Sequence, residues 1–506
     1  MFASISSAVL HGAVGHPVRV EVHVGKGLPG LTISGLPDES VREARDRVRA
    51  AILSCDLPYP DIRITVNLAP SDRRKSGSGL DLAIAIGILA ASDVVDARAL
   101  DRLALIGELG LDGSLRPVPG VAPMVGAVGD VDVVVPVASS LEAHVAAYGR
   151  VRLVHRLDEL VAVLNGHLPW PEHDPPPPVV DEAPSPDLAD VHGQPLARRA
   201  LEIAAAGGHH LLLVGPPGAG KTMLAARLPG LLPELDRERA LEATMVHSAA
   251  GVRLPPGGLI TRPPFRAPHH TTSAVALVGG GSGAIRPGEI SLAHCGVLFM
   301  DEIAEFAPTV LDGLRQPLED RQITVSRSKL NVMLPADFLL VAAMNPCPCG
   351  GGAPGACRCN AANLHRYLRR LSGPLLDRFD LRVNVDRPDV DDLLGCTNGE
   401  SSAAVATRVD AARATAIGRQ GGPNSRLDGT QLDRFAPIDD AGRAVLRDRL
   451  ESGRLSARGY HRVRRVARTI ADLRDDPAGP IGESAIHLAL GLRSSFDHAF
   501  SSGRVA

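Results

Sequence analysis

One short segment limits what this chain can fold into more than any other. Residues 215–222 read Gly-Pro-Pro-Gly-Ala-Gly-Lys-Thr, which fits the pattern G-x-x-x-x-G-K-[ST]. An apolar run, Leu211–Val214, precedes the segment, and a helical pattern follows it. In this order of strand, loop and helix, the backbone N–H groups of the loop surround phosphate groups. The segment therefore predicts an α/β fold that binds a nucleoside triphosphate.

Each position of this loop has an expected task. Lys221 is expected to reach the β- and γ-phosphates, and Thr222 is expected to bind Mg²⁺. The glycines let the backbone approach the phosphates closely. The predicted nucleotide-binding residues are Gly215, Pro216, Pro217, Gly218, Ala219, Gly220, Lys221 and Thr222.

Two later strands end in polar residues that suit phosphate chemistry. Asp301 and Glu302 follow the apolar run Val297–Met300, and Asn345 follows a strand predicted over 338–344. The carboxyl ends of parallel strands face the place where phosphates bind. We expect Asp301 to hold the Mg²⁺ shell and Glu302 to polarise the attacking water. Asn345 either orients that water or is a simple turn residue before a proline.

The segment 373–380 carries an arginine with two possible interpretations. Arg378 can pair with Asp377 or Asp380 of its own loop. Alternatively, it can reach the γ-phosphate bound by a neighbouring subunit, an effect worth roughly 10³ to 10⁵ in rate where it is known. The residues alone leave both interpretations open.

A proline-rich stretch divides the chain. Eight prolines fall within 169–186, and because proline fixes φ and lacks an N–H, this composition predicts a semi-rigid linker. The expected parts are a mixed α/β N-terminal domain at 1–168, a linker at 169–188, an α/β ATPase core at 189–395 with a Cys-rich insertion at 347–359, and a helical domain at 396–506.

The composition excludes several classes of protein. Lys and Arg number 54 against 57 Asp and Glu, a net charge of −3, which excludes a polycation that coats nucleic acid but not a local basic patch. No apolar stretch reaches the roughly 18 residues of a membrane helix, and no secretory signal is apparent. Seven cysteines in 506 residues do not form a disulfide scaffold. We expect a cytoplasmic protein with no membrane partner.

Four of these cysteines stand in two closely spaced pairs, Cys347 with Cys349 and Cys357 with Cys359. Four soft thiolates on a short loop suit tetrahedral Zn²⁺ in a structural site. The single intervening residue is fewer than the usual roughly two to four, so uncoordinated thiols or a redox pair stay as alternatives. The pair His269-His270 could join a site, although an interface or a DNA contact is its more ordinary role.

Two local features are basic enough to contact nucleic acid. Residues 443–474 contain ten Arg and three acidic residues, although a solvated helix face would look the same. The second feature is a predicted hairpin between strands at 323–325 and 330–333, with Arg327 and Lys329 at its tip. This tip could grip DNA phosphates or be an ordinary exposed turn.

Together these motifs resemble the AAA+ ATPases and, within them, the magnesium-chelatase-like YifB/ComM family. The resemblance spans nearly the whole chain. The segments that carry it are LPGLTISGLPD, FRAPHHTTS, LFMDEIAEF, AAMNPCPCG, GPLLDRFDL and SARGYHRVRRVARTIADL.

This resemblance implies roles that the residues alone do not give. It implies ATP as the nucleotide, Asn345 as sensor 1, Arg378 as the arginine finger and Arg458 as the sensor-2 arginine on a helical lid. It also implies a hexameric ring in which each subunit completes its neighbour's site, with the hairpin pointing into the channel. ComM-type members resemble motors that drive branch migration, so branched or single-stranded DNA is the expected partner. The alternative is a magnesium-chelatase-type motor subunit or a protein-remodelling ATPase.

Residues 75–83 (KSGSGLDLA) and 107–120 (GELGLDGSLRPVPG) are similar to the Lon-protease-type domain, which has a ribosomal S5-type fold. Proteolysis in that domain needs a Ser nucleophile activated by a nearby Lys. The alignment puts Gly79 at the Ser position and Met124 near the Lys position, and the nearby serines have no obvious partner. We therefore expect a proteolytically inactive scaffold that shapes the ring or contacts DNA.

Overall fold

The computed structural model describes residues 1–147, 149–172, 186–281, 285–327, 330–351, 357–388, 399–474 and 479–493. Two sheets dominate these residues, a mixed one before the proline-rich stretch and a parallel one after it. The chain is thus mixed α/β, as the sequence predicts. Most of the predicted linker, residues 173–185, lies outside the described residues.

The N-terminal part is built on a seven-stranded mixed sheet. In spatial order its strands are Gly30–Ser34, Arg63–Ala69, Val14–Gly25, Phe2–His11, Leu103–Leu105, Asp132–Pro136 and Val151–Val154. The α-helices around it are Glu39–Ser54, Asp81–Ala90, Val121–Ala127, Ser140–Ala146 and Leu157–Leu164, and a small hairpin pairs Glu108–Leu109 with Leu115–Arg116.

Local sequence explains two of these elements. In Val14–Gly25 the valines from Val18 onward are buried, while Arg19 and His23 between them are exposed, because successive side chains of a strand point to opposite faces. The helix Glu39–Ser54 begins where the Asp38 carboxylate accepts a hydrogen bond from the Val41 N–H at 2.8 Å.

The second sheet has five parallel strands. In spatial order they are Phe265–Arg266, Val297–Met300, Leu339–Met344, Leu211–Val214 and Leu381–Asn384. The three central strands are buried along their whole length, which explains why they read as unbroken apolar runs. All five carboxyl ends lie at one edge of this sheet and all five amino ends at the other.

Helices and hairpins surround the parallel sheet. Its α-helices are Pro195–Gly207, Lys221–Ala225, Arg237–Ala250, Ala274–Val278, Glu289–Leu292, Pro308–Gly313, Arg315–Asp320, Ala361–Arg369 and Gly373–Leu376. The strands Gln322–Arg327 and Leu330–Pro335 form an antiparallel hairpin, and Gly279–Gly280 pairs with Arg286–Pro287.

The described C-terminal residues are helical. Their α-helices, called the C-terminal helices below, are Ser402–Gln420, Gly429–Phe435, Asp440–Glu451, Ala457–Asp472 and Glu483–Gly491. They share one apolar core with the helix Pro195–Gly207 and the parallel sheet. The Arg413 guanidinium also donates to the Ala205 carbonyl at 2.6 Å.

The N-terminal part packs against the part of the chain that is built on the parallel sheet. The Gly120 N–H donates to the Ser248 carbonyl at 2.9 Å, and the Ser248 hydroxyl donates to Glu142 at 2.7 Å. Elsewhere, Ala13 is buried in one apolar cluster with Val332 and Leu334 of the hairpin. The two parts are therefore packed together and not merely linked.

None of the helices within the described ranges has the length and apolar character that crossing a membrane requires.

Candidate active site

The phosphate-binding loop lies at the carboxyl edge of the parallel sheet, directly after Leu211–Val214. Gly218 and Gly220 have φ of +78° and +85°, a conformation that favours glycine, and a Cβ at either would meet no atom within 4 Å. The loop thus exposes backbone to open space, as a phosphate cradle requires.

Lys221 is held inside its own loop. Its ammonium donates to the Gly215 carbonyl at 2.7 Å, the Pro216 carbonyl at 2.9 Å and the Asn345 side-chain oxygen at 3.1 Å. Burial lowers the pKa of Lys221, and the carboxylates of Asp301 and Glu302 partly offset this. The structure therefore brings the predicted lysine, both acidic residues and Asn345 together.

The predicted Mg²⁺ ligands also meet. The Thr222 hydroxyl, on the helix Lys221–Ala225, donates to the Asp301 carboxylate at 2.7 Å. A hydroxyl and a carboxylate are oxygen ligands that suit a hard, octahedral cation. These two residues fit a Mg²⁺ ion held beside the phosphates.

Glu302 has an unusual backbone. Its φ of 48° and ψ of 46° are left-handed, which is uncommon for a residue with a Cβ and clusters at active sites. Its carboxylate lies 3.6 Å from the His270 ring nitrogen. From the sequence, His269-His270 is expected only as an interface, a DNA contact or added metal ligands, and the spacing of residues in FRAPHHTTS gives no signal for this contact.

Asn345 is fixed from two sides. Its side-chain oxygen accepts from Lys221, and its backbone carbonyl accepts from the Tyr367 hydroxyl at 3.1 Å. A simple turn residue would need neither contact. The contacts place the Asn345 amide beside the phosphate-binding loop.

Arg378 lies at the opposite edge of the sheet. The strand Leu381–Asn384 runs parallel to Leu211–Val214 with Leu381 beside Leu211, so Arg378 precedes the amino end while the phosphate-binding loop follows the carboxyl end. Four residues of strand separate the two edges by about 13 Å. Within one chain, this arginine is remote from Lys221.

The carboxylate partner of Arg378 is not the one that the sequence suggests. Its guanidinium pairs with Glu319 of the helix Arg315–Asp320, a residue distant in sequence. Asp377 instead lies 3.7 Å from Arg382, while Asp380 accepts from Arg462 at 3.0 Å and contacts His209 at 3.1 Å. The alternative pairing within its own loop is therefore wrong.

Arg458 lies at the same end of the parallel sheet as Arg378. It is exposed in the first turn of the helix Ala457–Asp472. Burial first, and then the guanidinium groups of Arg462, Arg458 and Arg315, lower the pKa of Arg378. Arg378 and Arg462 also line a cavity of about 650 Å³ beside the amino ends of the strands. A cluster of cationic side chains is thus assembled away from the chain's own phosphate-binding loop.

Most arginines of the helix Ala457–Asp472 do not form a solvated face. Arg464 and Arg468 are buried, and they pair with Asp433 at 2.8 Å and Asp472 at 2.9 Å. Arg465 donates to the Leu427 carbonyl at 2.6 Å. Part of the positive charge of 443–474 is thus paired inside the protein, and the alternative of a solvated helix face is wrong for Arg465 and Arg468.

The predicted hairpin is present, and its strands are longer than expected. Arg327 ends the first strand and pairs in register with Leu330. Lys329 lies outside the described residues, and for Arg327 the structure describes the backbone alone. DNA contact by these two residues stays a prediction.

The four cysteines of the insertion come together. The sulfur atoms of Cys347, Cys349, Cys357 and Cys359 all lie within 4.8 Å of one another. Cys347 is buried, Cys359 is half-buried, and the other two are exposed. The insertion thus gathers four thiols beside Asn345.

The positions aligned with a protease dyad carry no catalytic groups. Gly79 and Met124 are both buried, and a Cβ at Gly79 would lie 3.9 Å from the Met124 Cε. Ser78 hydrogen-bonds Glu108, and the Lys75 ammonium donates to the backbone carbonyl of Arg73 at 2.8 Å. The described residues therefore place no lysine against a serine at this position.

Comparison with known proteins assigns the family. The profile "Magnesium chelatase, subunit ChlI" matches residues 187–393, "Subunit ChlI of Mg-chelatase" matches 20–139, and "Magnesium chelatase, subunit ChlI C-terminal" matches 399–493. YifB of Escherichia coli is 45% identical over 460 residues, which cover 90% of each chain. The competence protein ComM of Haemophilus influenzae is 43% identical over 487 residues, 94% of each chain. The chain belongs to the YifB/ComM family of magnesium-chelatase-like proteins.

A shorter similarity accompanies this membership. Lon protease 2 of Bacillus subtilis is 32% identical over 183 residues, 31% of this chain and 32% of that protein. The Lon-like similarity is thus partial, while the similarity to YifB and ComM extends over nearly the whole chain.

Proposed function

We propose that this YifB/ComM-family protein is an ATP-hydrolysing motor that acts on DNA. One observation carries the ATPase part: Lys221, Thr222, Asp301, Glu302 and Asn345 converge at the carboxyl edge of one parallel sheet. ATP is the substrate and Mg²⁺ the metal under this proposal, and we place the activity in the cytoplasm.

The chemistry follows from what each side chain offers. Lys221 exchanges its contacts with Gly215 and Pro216 for phosphate oxygens when ATP enters the loop. Mg²⁺, held by Thr222 and Asp301, supplies charge neutralisation for the phosphates. Glu302 accepts a hydrogen bond from the attacking water and polarises it, and the Asn345 amide orients that water.

The position of the cationic cluster supports a ring. Arg378 is separated from its own phosphate-binding loop by the length of a strand. A fixed guanidinium stabilises charge on a phosphoryl group only where it touches that group. We propose that Arg378, with Arg458 beside it, completes the site of the adjacent subunit in a hexamer.

DNA is the proposed partner for two reasons. The relative ComM is named a competence protein, and the hairpin Gln322–Arg327/Leu330–Pro335 carries Arg327 and Lys329 at its tip. Sequence-independent grip on phosphates needs such cations and no base contacts. We propose branch migration of branched DNA as the work that hydrolysis drives.

The names of the matching family profiles support a second candidate. They describe a subunit of magnesium chelatase, so a chelatase-type motor, or a remodeller of a protein partner, is the alternative. This alternative would be favoured if the rate of ATP hydrolysis rose with a porphyrin and Mg²⁺ and did not rise with branched or single-stranded DNA.

The test compares two variants with a matched control. Lys221→Ala should lose nucleotide binding, because its ammonium contacts the phosphates. Glu302→Gln should bind ATP and hydrolyse it poorly, whereas Glu305→Gln, which alters an exposed carboxylate paired with Arg370, should keep the wild-type rate. Wild-type turnover by Glu302→Gln would refute the assignment of the water-polarising residue.

A second test concerns DNA. The double variant Arg327→Ala/Lys329→Ala should hydrolyse ATP at the basal rate and lose its stimulation by branched DNA. The exposed arginines Arg443 and Arg447, changed together to alanine, provide the control of equal charge. Equal DNA stimulation in both double variants would refute the hairpin as the grip.

A further inference from the structure

The insertion after Asn345 gathers four thiols that the proposed hydrolysis does not use. The Cys347 and Cys349 sulfurs are 3.3 Å apart, and those of Cys349 and Cys357 are 3.8 Å apart. All four sulfurs lie within 4.8 Å of one another.

These distances can be compared with a metal centre. With Zn–S bonds of about 2.3 Å, the sulfurs of a tetrahedral tetrathiolate site lie about 3.8 Å apart. A disulfide would need about 2.05 Å, which is much shorter than the separation of Cys347 and Cys349. Four thiolates in a compact group select a soft divalent ion such as Zn²⁺ over Mg²⁺.

The same insertion touches the phosphate-binding loop. Cys347 and Cys349 follow Asn345 closely, and Gly350 comes next. Gly350 has φ of +71°, and a Cβ there would lie 2.8 Å from the Pro217 ring. The segment that carries Cys347 and Cys349 therefore contacts the phosphate-binding loop directly, through Gly350 and Pro217.

We propose that Cys347, Cys349, Cys357 and Cys359 bind one Zn²⁺ ion, and that this ion holds the segment 347–350 against the phosphate-binding loop. Without the ion, four thiols have to stay together on a glycine-rich insertion with no shared bond. Only local contacts then order the insertion, and the position of Asn345 relative to Lys221 becomes less fixed. The metal site stands on the cysteine geometry alone, while its effect on nucleotide binding rests on the proposed ATPase function.

The metal site is tested by zinc content. Wild-type protein, purified without added metal, should contain about one zinc per chain by elemental analysis. The exposed-side variant Cys357→Ser/Cys359→Ser should contain essentially none, while Cys55→Ser, which alters a half-buried cysteine of the N-terminal part, should keep its zinc. Zinc-free wild-type protein with four reactive thiols in the insertion, or zinc retained by the double variant, would overturn the site.

The effect on the nucleotide loop is tested by binding of a fluorescent ATP analogue to the full-length protein. Removal of zinc from the wild type by a chelator should weaken binding about 2- to 10-fold, the lower part of the range for residues in contact, and added Zn²⁺ should restore it. This reversal uses one folded protein, so it stays decisive even if the double variant unfolds.

One further variant separates the two parts of the proposal. Gly350→Ala should retain zinc and weaken nucleotide binding, because the new Cβ meets Pro217 and the left-handed backbone disfavours it. Unchanged affinity after zinc removal and in Gly350→Ala would overturn the contact between the ion and the loop. Failure of the wild type to bind the analogue, with zinc present, would instead reject the proposed ATPase function.

Discussion

The position of Arg378 leads to the most discriminating prediction. Its strand begins at Leu381 and runs beside Leu211–Val214, so Arg378 and Lys221 lie beyond opposite ends of paired four-residue strands. The separation of about 13 Å exceeds the reach of a guanidinium that is already paired with Glu319. Under the proposed function, a direct contact of Arg378 with a γ-phosphate is therefore made on a different subunit.

Replacing Arg378 by alanine should lower kcat by about 10³ or more, the effect of removing such a finger elsewhere. The free energy of unfolding should change by only about 0–1 kcal/mol, because the lost partner, Glu319, is largely exposed. Nucleotide affinity should change little, since Arg378 does not touch the nucleotide of its own chain. A steady-state ATPase assay and a urea titration measure the two quantities.

Mixed rings decide between action on the chain's own site and action on its neighbour. Arg378→Ala subunits keep Lys221, and Lys221→Ala subunits keep Arg378, so an equal mixture restores a complete site where the two meet in the right order. In a closed ring of head-to-tail contacts, about one quarter of interfaces meet this condition. Activity near that fraction of the wild type is expected after mixing. Mixed assembly confirmed by mass spectrometry, with activity no higher than that of the two separate variants, would refute the reasoning.

Three further predictions concern side chains whose contacts the structure defines. His270→Ala should lower kcat about 10- to 100-fold without changing ATP affinity, because the Glu302 carboxylate loses its neighbour; an unchanged kcat would contradict this. Arg468→Ala should lower the free energy of unfolding by about 1.5–3 kcal/mol, since the buried Asp472 carboxylate loses one cationic partner and keeps Arg419 and Asn424; an unchanged free energy of unfolding in a urea titration would contradict the ion pair. Burial raises the pKa of Asp380, but His209 and Arg462 outweigh it and hold the pKa well below its usual range. The ionised Asp380 therefore stabilises the fold fully above about pH 4, and this stabilisation is lost as the pH falls further. The difference in free energy of unfolding between the wild type and Asp380→Asn should be largest at neutral pH and should shrink in acid.

Much of the nucleotide site could be predicted because its residues follow strands directly. The loop at 215–222 and the pair Asp301-Glu302 each come after an apolar run, and parallel strands bring their carboxyl ends together. The contact between Thr222 and Asp301 follows from this rule alone. These residues are predictable because the parallel sheet fixes the distances between the residues that follow its strands.

The remaining contacts depend on side chains that the sheet does not position. Glu319 lies on a separate short helix, and nothing in its spacing from Arg378 signals their ion pair. Arg464 and Arg468 look like surface residues on a helix pattern until Asp433 and Asp472 are seen against them. The partner of a long charged side chain depends on how separate elements pack together, and the spacing of residues along a single sequence does not show this.

The residues of the N-terminal part that align with a protease dyad lie in a packed region. Met124 lies on the helix Val121–Ala127, and the same segment is joined by hydrogen bonds to Ser248 of the helix Arg237–Ala250. A protease needs an accessible nucleophile, whereas the position aligned with it, Gly79, is buried, and a Cβ there would lie within 4 Å of Val118, Ile106 and Met124.

A second contact links this part to the hairpin. The turn at Gly12 and Ala13 packs on Val332 and Leu334, and a Cβ at Gly12 would overlap the Val332 side chain. The second strand of the hairpin is therefore held by the N-terminal sheet at Val332 and Leu334, and Val332 lies two residues from Leu330, which pairs with Arg327. If the tip grips DNA, force on it passes through Val332 to the turn at Gly12. Under the proposed function, the N-terminal part would then support the hairpin, a role that needs packing and no catalytic serine.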